Sequence, residues 1–214
     1  MQYAYDPSGL VSGLTHSHDG EVQGDLGYPY RPDGQPAGVT GSYANVVLPA
    51  ARGGLEYDAQ NRLVEAAGEV LEYDADGNLL SDGSRSFAWD ELGRLVSVDI
   101  AGGDLSFGYS PTGGRSSRGV GDSASGFVDV GANPAVELDG QGQAVAGLLS
   151  GGMDQWFART HAGGTDAVLT DLLGSPVGLG GADGSVSARW SFDPFGVASV
   201  SGDVHGADLG FTGR

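Results

Sequence analysis

A short unit repeats along this chain, and it constrains the fold more than any other feature of the sequence. Seven times an aromatic residue is followed by three variable positions and then by Gly or Asn. The clearest copies are YDAQNRL at 57–63, YDADGNL at 73–79 and WDELGRL at 89–95, whose aromatic residues are spaced 16 positions apart. A short fixed period indicates one supersecondary unit copied along the chain. The sequence therefore predicts a repeat protein whose function belongs to the array rather than to a single site.

Each copy has the chemistry of a tight turn. Asp after the aromatic residue favours the first turn position, because its carboxylate accepts the backbone N–H two residues on. Pro7 and Pro194 stand at the second position, which their fixed φ suits. The fifth residue of the unit needs a positive φ, which Gly adopts without steric cost and Asn61 tolerates. The predicted structural turn residues are Asp6, Gly9, Asp58, Asn61, Asp74, Gly77, Asp90, Gly93, Asp171, Gly174, Asp193 and Gly196.

The aromatic residue before each turn closes a strand, where a large ring packs across neighbouring strands. Second turns at 66–69, 81–84 and 101–104 lie opposite the first, so one repeat is strand, turn, strand, turn. No window of a dozen residues keeps a helical apolar stripe without a Gly interrupting it. The sequence thus predicts an all-β array of antiparallel β-hairpins. Its predicted structural aromatic residues are Tyr5, Tyr30, Tyr57, Tyr73, Trp89, Tyr109 and Phe192.

Charge and composition exclude several classes of partner. The net charge is −18 and the 10 Lys and Arg residues are scattered, so binding to nucleic acid or to an anionic membrane lacks the basic patch it needs. Cysteine is absent, which removes disulfides and thiolate chemistry. The N-terminus enters a repeat directly, without an ordinary signal peptide. No apolar run approaches the ~20 residues of a spanning helix, so we expect no membrane insertion.

The chain is expected to be a single domain over residues 1–214, because stacked hairpins share one continuous sheet and core. Residues 119–126 are interpreted as a loop or a degenerate repeat. The predicted subdivisions are degenerate repeats at 1–50, regular repeats at 51–118, degenerate repeats at 119–164 and a distinct block at 165–214.

The repeat YDADGNL at 73–79 resembles the YD repeat of the RHS (rearrangement hotspot) proteins. TDLLGSPV at 170–177, with RWSFDPFG at 189–196, resembles the start of the RHS-associated core region, and FTGR at 211–214 resembles its next step. The resemblance implies a curved, spiralling YD-repeat sheet that forms part of a hollow RHS-type shell. In polymorphic toxins, insecticidal toxin complexes and teneurin-like proteins, such shells enclose a C-terminal segment or present a surface for adhesion.

The resemblance also sets expectations for partners and location. It implies a bacterial protein that is secreted or held at the cell surface. The expected partner is the remainder of a longer RHS chain or an enclosed effector, because a complete shell is expected to need several times 214 residues. Self-cleavage and toxicity are expected from residues beyond position 214 and are not assigned to this chain.

Two short sequences superficially resemble catalytic or metal sites. GDSA at 121–124 resembles a serine-protease nucleophile loop, but it lacks the strand-turn-helix context of a nucleophile elbow and is interpreted as an ordinary polar loop. His16 and His18 are spaced as metal ligands on one strand could be. Because no third ligand has matching spacing, they are interpreted as surface residues.

Further candidates also favour structural interpretations. DADGN at 74–78 resembles part of a calcium loop, but the position of the required bidentate Glu is Arg85. His161 and His205 stand isolated, each beside Gly or Ala, and are interpreted as loop residues. The repeat aromatic residues could line a sugar-binding strip, although a stacked structural core is favoured. We therefore predict no catalytic residue, no metal ligand and no cofactor.

The leading hypothesis is a structural YD-repeat module that forms part of a β-shell enclosing or presenting a C-terminal effector. The alternative is a free-standing extracellular adhesion module that binds a glycan or a cell-surface protein, for example through its open sheet edges. An enzyme ranks third, because no set of acid, base and nucleophile emerges from the sequence.

Overall fold

A computed structural model describes residues 1–45, 47–131 and 133–213. Within these residues it contains twenty β-strands, all antiparallel where they pair, and one 3₁₀ turn at Phe211–Gly213. The predicted all-β array of antiparallel hairpins is confirmed. Arg214, the last residue of the predicted terminal segment, lies outside the described residues.

The strands are short and follow one another closely along the chain. They are β1 (Gln2–Tyr5), β2 (Val11–His18), β3 (Glu21–Gly27), β4 (Leu55–Tyr57), β5 (Leu63–Ala66), β6 (Glu69–Val70), β7 (Glu72–Tyr73), β8 (Leu79–Ser81), β9 (Ser86–Trp89), β10 (Leu95–Asp99), β11 (Leu105–Tyr109), β12 (Arg115–Val120), β13 (Ser123–Val130), β14 (Asn133–Leu138), β15 (Ala144–Ser150), β16 (Trp156–His161), β17 (Gly164–Thr170), β18 (Pro176–Gly180), β19 (Val186–Phe192) and β20 (Ala198–Gly202).

The chain divides into two compact units. Unit 1 combines Met1–Pro49 with Ala146–Arg214, and unit 2 is Ala50–Val145. The single domain and the subdivisions expected from the sequence stay predictions. In the part of the chain that the structure describes, no helix is long and apolar enough to cross a membrane.

Unit 2 contains the regular repeats, and each of its hairpins follows the same plan. Neighbours in sequence are neighbours in the sheet, in the order β4-β5-β6 and then β7 through β14. The pairing register shifts at Tyr57, Tyr73 and Tyr109, which places a bulge at the aromatic residue before the turn. Val98 is the single fully buried apolar side chain among the described residues of this unit.

The structure excludes one of the two interpretations of residues 119–126. They are not a loop, because residues 119 and 120 end β12 and residues 123–126 begin β13. The two strands pair directly, with Val120 opposite Ser123. Only residues 121 and 122 turn the chain, and Gly121 has a φ of 55° there. Small and polar residues form the backbone ladder between β12 and β13. They lack the alternating apolar residues by which a strand is recognised in a sequence.

Unit 1 has a core that joins the beginning of the chain to its end. Strands β1, β2 and β3 pair in that order, and β16 through β20 also pair with their sequence neighbours. One buried cluster combines Leu14, Leu26, Tyr43, Leu169 and Val177, and a second combines Trp156, Val168, Leu179, Ala188 and Trp190.

Candidate functional site

The first element of the site is the turn itself, which the Asp side chain organises. Asp58 Oδ1 accepts the backbone N–H groups of Gln60 and Arg62, both at 2.9 Å. The sequence predicted the first bond but not the second. Hydrogen bonds from the residue four positions on, through its backbone or its side chain, are the largest cause that lowers the pKa of Asp58, Asp74 and Asp90. The same pair of backbone bonds forms at Asp6, Asp74, Asp90, Asp139, Asp171 and Asp193.

The residue three positions after that Asp adopts the left-handed conformation. Its φ is 61° at Asn61 and 90° at Gly77, and its N–H bonds back to the carbonyl of the Asp in both turns. A Cβ costs energy in this region for most residues, which explains the restriction to Gly and Asn. Positive φ values also occur at the predicted positions Gly9, Gly93, Gly174 and Gly196.

The aromatic residues connect one repeat to the one before it. In three successive copies, the polar end of the aromatic ring donates a hydrogen bond to a backbone carbonyl of the preceding repeat. That carbonyl belongs to the first residue of the strand that follows the preceding turn. These bonds run from Tyr73 Oη to Leu63 O at 2.8 Å, from Trp89 Nε1 to Leu79 O at 2.7 Å and from Tyr109 Oη to Leu95 O at 2.8 Å.

Two arginines complete the connection. Arg62 Nε donates to Asp58 Oδ2 at 2.7 Å, and its guanidinium lies 5.0 Å from the centre of the Tyr73 ring. Arg94 contacts Asp90 in the same way and lies 4.6 Å from the Tyr109 ring. Each guanidinium therefore joins its own turn to the next aromatic residue by an ion pair and a cation–π contact.

We call this arrangement the repeat clamp, and define it as Asp58, Arg62, Asp74, Asn78, Asp90, Arg94 and the aromatic residues Tyr73, Trp89 and Tyr109 with their three carbonyl acceptors. In the middle copy Asn78 replaces Arg, and its Nδ2 donates to Asp74 Oδ2 at 2.8 Å. Arg62 and Arg94 were not predicted from the sequence. The available signal was an Arg directly after the Asn or Gly in two of the three clearest copies.

The remaining predicted aromatic residues have other surroundings. Tyr30 Oη donates to Val11 O at 2.9 Å, which is a similar contact in unit 1. The Phe192 ring lies 5.6 Å from that of Phe211. Tyr5 and Tyr57 are 62% and 56% exposed, so they contribute less to any core than the sequence indicated.

The clamp and its turns agree with a comparison of the whole sequence with known families. A family model described as Teneurin YD-shell matches residues 1–214. The chain belongs to the Teneurin YD-shell family. Within that family it is a structural YD-shell module, and membership favours this role over the free-standing binding module that the sequence left open. Comparison with curated proteins found no match.

Solved structures of toxin complexes share the fold of this YD-shell chain. The crystal structure of TcdB2-TccC3-Cdc42 matches 100% of the chain with a TM-score of 0.61 and 13% identity. A structure of the Photorhabdus luminescens Tc holotoxin pore matches 99% of the chain with a TM-score of 0.59 and 14% identity. The YD-shell chain spans only 16% and 15% of these two solved chains. At such identities the likeness shows the fold alone.

His16 corrects one expectation from the sequence. Its side chain is buried near the first core cluster and is only 2% exposed. Its Nε2 donates a hydrogen bond to the Thr170 carbonyl at 2.9 Å. Burial lowers the pKa of His16, and the hydrogen bond to Thr170 opposes this effect. The interpretation as a surface residue was wrong because the partner carbonyl is 154 positions away in the sequence. His18 is only partly exposed and lies 3.6 Å from Asp19 Oδ2.

His161 and His205 correct a second expectation from the sequence. His161 is not a loop residue, because it ends β16, whereas His205 lies in a turn after β20, as expected. Neither residue is isolated, because both rings meet on Asp166 of β17. Nε2 of His161 lies 3.0 Å and Nδ1 of His205 lies 2.8 Å from Asp166 Oδ2. The hydrogen bond to Asp166 raises the pKa of His205. No pattern in the sequence indicates this cluster, since His205 is 39 positions from Asp166.

The other candidates lie in ordinary turns. Asp122 belongs to the exposed turn between β12 and β13, and Ser123 is the exposed first residue of β13. The Asp74 carboxylate accepts hydrogen bonds from its own turn, so turn chemistry accounts for this acidic residue.

Proposed function

We propose that this YD-shell module forms one part of the wall of a larger shell that encloses a C-terminal effector segment in a secreted bacterial protein. The observation that carries the proposal is the repeat clamp, found in a chain whose full described length matches the YD-shell family. The proposed partners are the remainder of a longer RHS chain and the enclosed segment.

The physics of the clamp supports a wall. In a repeat array each unit contacts mainly its neighbours. The stability of the wall therefore depends on the contacts between one repeat and the next. Each clamp adds a hydrogen bond, worth about 1 kcal/mol, to the ladder between hairpins. The junction needs little buried volume, so one face of the sheet is free to enclose a segment while the other faces water.

The length of the chain relative to its structural neighbours also supports the proposal. This chain spans 16% of the solved chain in the TcdB2-TccC3-Cdc42 structure, so a complete wall of comparable size needs further residues. We further propose that the chain itself has no catalytic activity. The candidate acids of the turns are already engaged in backbone hydrogen bonds, and Ser123 lies on an exposed hairpin.

Protease protection of the natural full-length product tests the proposal. Its intact mass should be well above the 21.6 kDa of this chain, and a segment C-terminal to it should resist protease under native conditions. Opening the wall with Tyr73→Ala and Tyr109→Ala together should expose that segment to cleavage. The matched control is Tyr57→Ala, because Tyr57 is a repeat aromatic residue that is mostly exposed.

Two results would contradict enclosure. One is a native product of 21.6 kDa, which leaves no segment to enclose. The other is a C-terminal segment that protease cleaves equally fast in the wild type and in the double variant.

A further inference from the structure

Two imidazoles and one carboxylate converge in unit 1, at a distance from the repeat clamp in the sequence. Ligand atoms of His161, Asp166 and His205 all lie within 4.8 Å of one another. The two rings are 5.2 Å apart between centroids and tilted by 32°. Asp166 is only 5% exposed, whereas His205 remains partly accessible. A buried carboxylate with two histidine nitrogens on the same oxygen is a donor set that zinc prefers.

We propose that His161 Nε2, Asp166 Oδ2 and His205 Nδ1 bind one Zn²⁺ ion, with water in the fourth position. Ligand atoms around a tetrahedral zinc at about 2.0–2.2 Å are separated from one another by roughly 3.3–3.5 Å. The separations from Asp166 Oδ2 are 3.0 and 2.8 Å. The two histidine nitrogens lie within 4.8 Å of each other. Small side-chain rotations that widen the two separations from Asp166 Oδ2 and bring the two nitrogens to the same spacing make room for the ion.

The surroundings of His205 suit a metal ligand. Zinc takes the lone pair of Nδ1, so the ring proton is then carried by Nε2, which lies 3.8 Å from Asp203 Oδ2. A carboxylate that accepts the second ring N–H is the usual outer partner of a zinc-bound histidine, and the exposed Asp203 side chain must move closer than 3.8 Å to accept it. The backbone carbonyl of His205 also accepts a hydrogen bond from Arg159 Nη1 at 2.8 Å, which fixes the segment that carries the ring.

His161 must change one contact. Its Nδ1 accepts the backbone N–H of Gly163 at 3.1 Å, so in the absence of metal the proton is on Nε2 and points to Asp166. Zinc at Nε2 moves that proton to Nδ1, and the bond to Gly163 is lost. Gly163 is exposed in a hairpin turn, where water replaces this bond readily.

The ion would cross-link two parts of unit 1 that are distant in sequence. His161 and Asp166 belong to the β16–β17 hairpin, whereas His205 follows β20. Zinc at this point links the hairpin to the segment after β20, and its binding energy adds to the stability of the folded state. The chain's net charge of −18 also favours association with a divalent cation.

Metal titration of the full chain tests the site. The chain is stripped with a chelator and titrated with Zn²⁺ by calorimetry, and Co²⁺ is added separately to read coordination from its visible absorption. We expect one equivalent of Zn²⁺ to bind, a tetrahedral Co²⁺ spectrum, and a rise in melting temperature that depends on zinc concentration. His161→Gln and His205→Gln should each weaken binding by at least tenfold and abolish the spectrum and the thermal shift.

His18→Gln is the matched control, because His18 also lies beside an Asp but belongs to no group of three possible ligands among the described residues. It should bind Zn²⁺ as the wild type does. Circular dichroism of the metal-free variants separates loss of ligand from loss of fold, since neither substitution should change the metal-free spectrum. The proposal is overturned if the folded wild type binds no Zn²⁺, or if His161→Gln and His205→Gln retain its affinity. The three side chains then form a metal-free hydrogen-bonded cluster.

Discussion

The two units of the chain stabilise their strands in different ways. Unit 2 has the regular repeats but a single fully buried apolar side chain, Val98, among its described residues. Unit 1 has two buried clusters, and Leu14 and Leu179 within them are each 1% exposed. A regular repeat sequence therefore does not imply a large buried core. Unit 2 relies on turns and repeat clamps, whereas unit 1 relies on burial of residues far apart in the chain.

The largest expected effect is the loss of a core side chain in unit 1. Leu14→Ala should lower the free energy of unfolding by roughly 2–5 kcal/mol, because it removes buried methyl groups and leaves a cavity. Urea denaturation measures the change. Leu92→Ala in unit 2 is the control, since that side chain is 76% exposed and its loss should cost less than about 0.5 kcal/mol. Equal effects of the two substitutions would remove the distinction between the units.

The next effect concerns the clamp. Tyr73→Ala should cost roughly 2 kcal/mol, less than a fully buried aromatic residue, because the ring is half-buried and contributes one hydrogen bond and one cation–π contact. Tyr73→Phe should cost about 1 kcal/mol by removing the hydroxyl alone. Denaturation of both variants, with Tyr57→Ala as the exposed control, measures these steps. A Tyr57→Ala effect as large as that of Tyr73→Ala would contradict the clamp.

A smaller effect should come from the turns. Gly77 has a φ of 90°, with nothing near its Cβ position, so Gly77→Ala should cost roughly 1–2 kcal/mol through backbone strain alone. Gly53 lies in the same unit, outside the positive-φ region and also with nothing near its Cβ position. Gly53→Ala should therefore be neutral or slightly stabilising in the same denaturation experiment. If both substitutions cost the same, positive φ would not be the reason for Gly at this place.

The smallest expected effect is a pH dependence specific to unit 1. The folded pKa of His16 lies below its ordinary value of 6.5, so the unfolded chain binds more protons as the pH falls through 6.5. Stability from this residue should be complete above pH 6.5 and should decrease as the pH falls towards the folded pKa. Denaturation midpoints between pH 7.5 and 5.5 measure this slope. His16→Gln should flatten this slope relative to the wild type, and an unchanged slope in that variant would contradict the prediction.

Local chemistry explains how much of the fold could be predicted. The turns of unit 2 are determined by residues within five positions of one another, such as Asp58 with its own backbone and Asn61 with its positive φ. The sequence therefore predicted the hairpins and the positive φ in their turns. It missed that Arg62 lies over the Tyr73 ring, because that contact depends on the spacing between two turns rather than on either turn.

The contacts of unit 1 could not be predicted in this way. His16 bonds to Thr170 and Gln23 bonds to Gly184, across 154 and 161 positions of sequence. No periodicity connects residues so far apart, and a histidine between polar neighbours has no sequence signal of burial. Residues 119–126 were left open between a loop and a degenerate repeat for a related reason, since Gly and Ser pair through their backbones and carry almost no apolar pattern.

Hydrogen exchange tests most directly whether clamps, rather than a deep core, hold the repeats together. Amide exchange would be compared between the full chain and a variant with Tyr73→Phe, Trp89→Phe and Tyr109→Phe combined, with Tyr57→Phe as the control. We expect faster exchange in β7 to β12 of unit 2, unchanged exchange in β16 to β19 of unit 1, and no effect of the control. Unchanged protection in β7 to β12 would contradict it, as would an equal loss of protection in both units.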